Sequence, residues 1–237
     1  VDGAFMSNCR SHVGSLMYAC RATRPDISFA THRLARFVHD WKVSEDHDLH
    51  HLMSYVFGTK NIGLRLFADS RDLKNDIWLE LWVDAAHAND FDKKSTGGWV
   101  LVLKGTMGTN IVLDWSSKTQ NVTCRSSGES EIVALHDSLD YLVTTCRPLS
   151  SCAISSQELS DSLLKRKIPL LIKVDASVSK IAAEKGSTRN MKYISKTQQI
   201  DLIWIRDILQ FEGIDIEKIS THDNLADIFR KYLGGPK

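Results

Sequence analysis

The sequence predicts an α/β fold, a central sheet covered by helices and preceded by a small, mainly helical segment. Three observations predict it. Three runs rich in Trp, Val, Ile and Leu, namely Ile77 to Asp84, Gly97 to Lys104 and Asn110 to Ser116, are separated by Gly- and Asn-bearing turns, the signature of an antiparallel meander. Two shorter apolar runs, Leu170 to Val174 and residues 214–219, alternate with helical patterns further along. Upstream of Ala68 the apolar spacing is mostly helical. After residue 76 the order is βββ-α-(α)-β-α-α-β-α, which suits helices packed on a sheet.

Taken in order, Leu16, Met17, Ala19 and Cys20, then Ile27, Phe29, Ala30, Leu34 and Phe37, recur at helical spacing, broken once at Arg24-Pro-Asp26. Proline lacks the N–H that a helix interior needs, so two short helices are expected, with Pro25 near the start of the second. A third should begin at Ser44 as N-cap, with acidic residues in its first turn, and end before Gly58. Residues 62–67 alternate like a strand, and the polar run Ala68 to Asp76 reads as a linker. Beyond the meander, helices are expected from Ser127 to about Thr145, from Gln157 to Lys165, at 176–185, at 191–211 and from Asp223 to Leu233.

Composition narrows the function classes. An apolar fraction of 43% and a charged fraction of 25% are those of a chain able to bury a core, which argues against disorder. The net charge of +1 shows no basic excess, so any affinity for phosphate must be local. Five cysteines with no C-x-x-C pair suggest neither a disulfide framework nor a thiolate zinc site and fit a reducing compartment. No apolar stretch approaches the ~20 residues that span a bilayer, so no membrane is expected. The opening at Val1, without an initiator methionine, reads as a segment of something longer.

Four carboxylates sit where their neighbours are apolar, and an unpaired buried carboxylate is costly. Asp84 ends the run Leu79 to Val83, Asp175 follows Leu170 to Val174, and Asp227 lies within Asn224-Leu-Ala-Asp-Ile-Phe229. At about 100° per residue, Glu131 falls within about 40° of Leu135, Ser138 and Leu142, whereas Glu129 points roughly 120° from Leu135. Glu131 is therefore expected inward and Glu129 outward. Singly, each is read as a turn former, cap or solvated flank. Convergent carboxylates would instead need protons or divalent cations, and an oxygen-only set suits Mg2+ or Mn2+.

Ordered motifs along nearly the whole chain resemble copia-type retrotransposon polyproteins, from the end of the reverse transcriptase through the ribonuclease H domain. Gly14-Ser-Leu-Met-Tyr18 with Arg24-Pro-Asp-Ile27 is similar to the family's G-S-L-x-Y and R-P-D-I, and Gly58-Thr-Lys60 with Gly63-Leu64 to its G-T-x and G-L. Val83-Asp-Ala-Ala-His-Ala-Asn-Asp90 and Lys94-Ser-Thr-Gly-Gly-Trp99 resemble S-D-A-D-W-A-G-D and R-S-T-S-G-Y. Asp114-Trp-Ser-Ser-Lys118 resembles S-W-S-S-K, Ser126-Ser-Gly-Glu-Ser-Glu-Ile-Val-Ala-Leu135 resembles S-S-T-E-A-E-Y-x-A-L, and Asn224 to Phe229 resembles Q-L-A-D-I-x. The chain departs from the family at Val174-Asp-Ala-Ser177, where C-D-N-x-x-A is usual, and at Ala86-His87, which replaces D-W.

The resemblance implies a ribonuclease H-like mixed five-stranded sheet over residues 77–237, with residues 1–67 as the end of the reverse transcriptase or a connection segment. It assigns Asp84, Glu131, Asp175 and Asp227 as the catalytic quartet, holding two Mg2+ or Mn2+ ions. Asp84 would bridge both ions, Asp227 would help hold the one that activates water, and Glu131 and Asp175 the one that stabilises the leaving oxygen. Two ions about 4 Å apart clamp an in-line displacement. The implied reaction is endonucleolytic hydrolysis of the RNA strand of an RNA–DNA hybrid, leaving 5′-phosphate and 3′-hydroxyl ends, with the polymerase of the same polyprotein as partner. The implied setting is a cytoplasmic virus-like particle, or the nucleus.

Candidate contacts to the nucleic-acid backbone are Lys93, Lys94, Lys118, Arg125 and Ser127, all at expected loops or element ends near the quartet. Lys165-Arg-Lys167 reads as a helix end. His47 and His51 have i,i+4 spacing but lack the H-E-x-x-H context of a metal pair. Trp78, Trp82, Trp99 and Trp115 read as packing residues. Two alternatives stand beside the nuclease: a catalytically silent connection module of the same fold, which should have lost a carboxylate, and a DNA-directed nuclease or integrase. Residues 150–164 have no family counterpart and are expected to form an inserted surface helix.

Overall fold

The computed structural model describes residues 1–72, 77–88, 93–146, 168–187 and 200–231. The expected helix from Gln157 to Lys165, the insertion at 150–164, the run Lys165 to Lys167 and the first half of the 191–211 helix lie outside the described residues.

Five strands form a single sheet in the order β3-β2-β1-β4-β5. Strands β1 (Ile77–Ala86), β2 (Thr96–Gly105) and β3 (Asn110–Thr119) are the antiparallel meander. Strands β4 (Leu170–Val174) and β5 (Ile214–Lys218) add to the other edge of β1 in parallel. This is the mixed five-stranded sheet flanked by helices that the resemblance implied.

Alternation along β1 and β2 assigns the two faces. Leu81, Val83, Ala85, Trp99 and Leu101 face α4 (Ser127–Tyr141), α5 (Ser177–Lys185) and α6 (Leu202–Leu209), whose Ile132, Leu135, Leu139, Ala182 and Ile205 complete the main core. On the opposite face Trp82, Val100, Val102 and Trp115 pack against Ala226 and Phe229. The tryptophans at 82, 99 and 115 are thus core residues, as expected.

Upstream, α1 (Cys9–Ala22), α2 (Ser28–Arg36) and α3 (Val43–Gly58) enclose a cluster of their own, with Cys9, Val13, Leu16 and Cys20 as the inward stripe of α1. Pro25 opens a single 3-10 turn, Pro25–Ile27, just before α2. This segment meets the sheet at β3: the Trp115 indole N–H donates to the Cys20 carbonyl at 2.9 Å and Arg21 donates to the Trp115 carbonyl at 3.3 Å.

Four local expectations need correction. Helix α3 begins at Val43 rather than after Ser44, with the Glu45 carboxylate accepting the Lys42 N–H at 2.9 Å. Residues 62–67 form no strand; only Phe67 pairs, in a single bridge with Asn110, and Ile62, Leu66 and Phe67 stay exposed. The described part of the expected linker, residues 68–72, is fastened down, because Asp72 is buried and accepts the N–H groups of Met107 at 2.7 Å and Thr109 at 3.0 Å from the β2–β3 turn. As far as residue 231, the expected final helix is replaced by two 3-10 turns, Thr221–Asp223 and Leu225–Phe229.

Candidate active site

Asp84 lies within β1, two residues before its end, and is fully buried. It shares its face with Trp82, so it looks toward the C-terminal 3-10 turn. That turn can approach closely because Gly98, the partner of Asp84 in register, has no side chain: a Cβ there would lie 2.4 Å from the Phe229 Cβ. Asn224 pins the turn from its other end, donating to the Val83 carbonyl at 3.0 Å and accepting the Ala226 N–H at 3.0 Å.

Glu131 comes from the first turns of α4, on the other layer, and is buried. Asp175 comes off the end of β4, which runs parallel to β1, so the ends of both strands deliver a carboxylate to the same rim. Ligand oxygens of Asp84, Glu131 and Asp175 all lie within 4.8 Å of one another. Asp227 is not part of that group; it reaches Asp84 through Arg230, whose guanidinium pairs with both carboxylates and, through Nη1, donates to the Ala85 carbonyl at 3.2 Å.

Glu129 corrects the helical-wheel expectation. It is fully buried, not outward, because it sits in the first turn, where side chains fold back on the helix end. Its carboxylate accepts the Arg125 N–H at 2.7 Å while the Ser126 hydroxyl accepts the Glu129 N–H at 3.2 Å. Glu129 serves the cap and Glu131 the carboxylate cluster.

Burial dominates the electrostatics. It pushes the Asp84 carboxyl up to about 7, against the opposing pull of Arg230 and with added repulsion from Asp175 and Asp227. Burial, then repulsion by Asp84 and Asp175, pushes Glu131 up to about 9. Without a divalent ion Glu131 holds its proton near neutrality and Asp84 is poised between its two forms; a divalent ion would favour ionisation of both. Three close carboxylates from three elements, all hard oxygen donors, fit a Mg2+ or Mn2+ ion.

No family model matches the sequence. Individual relatives do. Over 227 residues, 94% of the chain, it is 31% identical to the retrovirus-related Pol polyprotein from transposon RE1 of Arabidopsis thaliana. Over 226 residues, again 94% of the chain, it is 29% identical to the corresponding polyprotein from transposon TNT 1-94 of Nicotiana tabacum. Over nearly its whole length the chain is similar to retrovirus-related Pol polyproteins of plant transposons. It spans 14% and 15% of the lengths of those two Pol polyproteins. Among solved structures, the RNase H1 of the archaeon Halobacterium salinarum NRC-1 aligns with a TM-score of 0.41 at 13% identity, covering 62% of this chain and 89% of its own.

The five candidate backbone contacts lie toward the end of the sheet that carries Asp84 and Asp175. Lys93 is exposed and Lys94 half-buried, just before β2; exposed Lys118 faces Gly97 near the end of β3; exposed Arg125 and Ser127 flank the start of α4. His47, His50 and His51 are exposed, and among the described residues the one group able to hold a metal is Asp84, Glu131 and Asp175. No motif marks Arg230. The signal that could have found it is the charge balance: a basic residue three positions after Asp227 is one helical turn from it.

Proposed function

We propose that this segment hydrolyses the RNA strand of RNA–DNA hybrids endonucleolytically, with Asp84, Glu131, Asp175 and Asp227 holding two Mg2+ or Mn2+ ions. The observation that carries this reading is the convergence of three carboxylates from β1, α4 and the end of β4 at one rim. Such ions would polarise the scissile phosphate and offset the charge that develops on the attacking and leaving oxygens. Asp84, buried at the centre, would be shared; Glu131 and Asp175 would hold one side and Asp227 the other. Water adds to phosphorus as the bond to the 3′ oxygen breaks, leaving 5′-phosphate and 3′-hydroxyl ends.

Lys93, Lys94, Lys118, Arg125 and Ser127 would grip the backbone at the same rim. Preference for the RNA strand would come from 2′-hydroxyls across a wide minor groove, a readout of shape that needs few base contacts. Residues 1–67 would act as the connection to the polymerase of the same polyprotein, in a virus-like particle of the cytoplasm or in the nucleus. Among the described residues no helix is long and apolar enough to cross a membrane.

One observation favours a second reading, a silent connection module: Asp84 and Asp227 already share the cation Arg230. Incubation of the chain with end-labelled hybrid, RNA duplex and DNA duplex in competition tests both. The nuclease cuts only the RNA of the hybrid; a silent module binds the hybrid at every Mg2+ concentration without cutting, and cutting of plain DNA would sink the hybrid assignment.

A further inference from the structure

Arg230 reaches into the carboxylate site with all three of its guanidinium nitrogens. Nε pairs with Asp84 Oδ2, Nη2 lies 2.7 Å from Asp227 Oδ1, and Nη1 donates to the Ala85 carbonyl. Its side chain is only 13% exposed, whereas Lys231, which also pairs with Asp227 Oδ1, is 52% exposed. Lys231 can leave into solvent freely; Arg230 is built into the site.

A guanidinium and a divalent ion compete for those oxygens. Both draw on the same carboxylate charge at close range, and their positive charges repel in a partly buried setting. The Asp84–Asp227 side, where Arg230 pairs with both carboxylates, therefore has two competing occupants. We propose that Arg230 is an internal counter-ion that closes the Asp84–Asp227 side until a divalent ion displaces it, giving the chain an arginine-docked and an ion-loaded state. This rests on the reading that the quartet holds divalent ions, and it adds a gate to that site. The docked arginine offsets the charge of the buried Asp84 carboxylate in the ion-free chain, since an uncompensated buried charge is strongly destabilising. It also makes one ion weaker than the other, because loading that side must first break charged hydrogen bonds.

Calorimetric titration with Mg2+ and with Mn2+, in the absence of nucleic acid, tests it on the wild type, Arg230→Gln and Asp84→Asn. Removing the competing guanidinium tightens the weaker site on the order of tenfold, the factor expected from one charged hydrogen bond no longer to be broken. Asp84→Asn loses that site. If Arg230→Gln binds no more tightly than wild type, the gate is wrong although the quartet reading stands; if no protein binds ions, the quartet reading itself fails. A measurement on the wild type guards against a variant that does not fold. The Arg230 Nε–H resonance, held by Asp84 in ion-free protein, shifts in step with the ion-binding isotherm, and a resonance unmoved at saturating Mg2+ overturns the proposal.

Discussion

Two glutamates two residues apart on α4 do different work, and burial alone does not tell them apart. Glu129 closes the helix end and Glu131 joins Asp84 and Asp175. Glu129→Gln keeps the shape but weakens a charged cap, so it should cost about 1–2 kcal/mol in urea unfolding; a loss near zero would show that the cap contact carries no weight. The raised carboxyls give a second prediction at this scale. Unfolded values near 3.8 and 4.5 and folded values of about 7 and about 9 mean that the folded chain holds protons the unfolded chain has released. That contribution to stability is full below the unfolded values and is lost as pH rises through the folded ones. In EDTA the Tm should fall between about pH 5 and pH 9, Mg2+ should oppose the fall, and Glu131→Gln should flatten it; a Tm that climbs across this range contradicts the assignment. Helix phase sufficed to find Glu131 in the sequence because it lies past the first turn. It misassigned Glu129, since at a helix end the free N–H groups, not the apolar stripe, decide where a carboxylate points. The pairing of Arg230 with Asp227 was within reach of its i,i+3 spacing, but its contact with Asp84 and Ala85 was not, because they are far from it in sequence.

Among elements, the strands were legible and the turns that bring the site together were not. Each strand of the meander alternates and is bounded by turn residues, so its sequence carries its own signal. The 62–67 run alternates too, yet Ile62, Leu66 and Phe67 are exposed, Leu64 is only half-buried and only Phe67 finds a backbone partner, which shows that alternation without a buried face makes no strand. The C-terminal turn departs from the helix expected there because Asn224 takes the Ala226 N–H and the Val83 carbonyl, and Gly98 admits the backbone of Phe229. Gly98→Ala would place a methyl 2.4 Å from the Phe229 Cβ, so the turn must shift. The expected cost is roughly 1–3 kcal/mol in chemical denaturation, as for an overpacked core, together with weaker Mg2+ binding as Asp227 moves from Asp84. Wild-type stability and ion affinity in this variant would contradict the role given to Gly98.

At the scale of the whole molecule, the order of elements after residue 76 was readable because each segment's periodicity changes in register with its neighbours. The attachment of the upstream segment was not, since Asp72 and Trp115 act through contacts distant in sequence: Asp72 on the β2–β3 turn, Trp115 on the carbonyl of Cys20. Of the quartet, Asp84, Glu131 and Asp175 converge as placement suggested, while Asp227 lies outside that group and is linked to Asp84 through Arg230. The most direct test of the central claim is Mg2+-dependent cleavage of an end-labelled RNA–DNA hybrid by wild type, Asp84→Asn and Glu131→Gln, with Glu129→Gln compared per folded molecule. The account predicts that wild type and Glu129→Gln cut the RNA strand alone and that the other two variants, though folded, do not. Cutting that survives Asp84→Asn, or a wild type that binds hybrid and Mg2+ and never cuts, would contradict it.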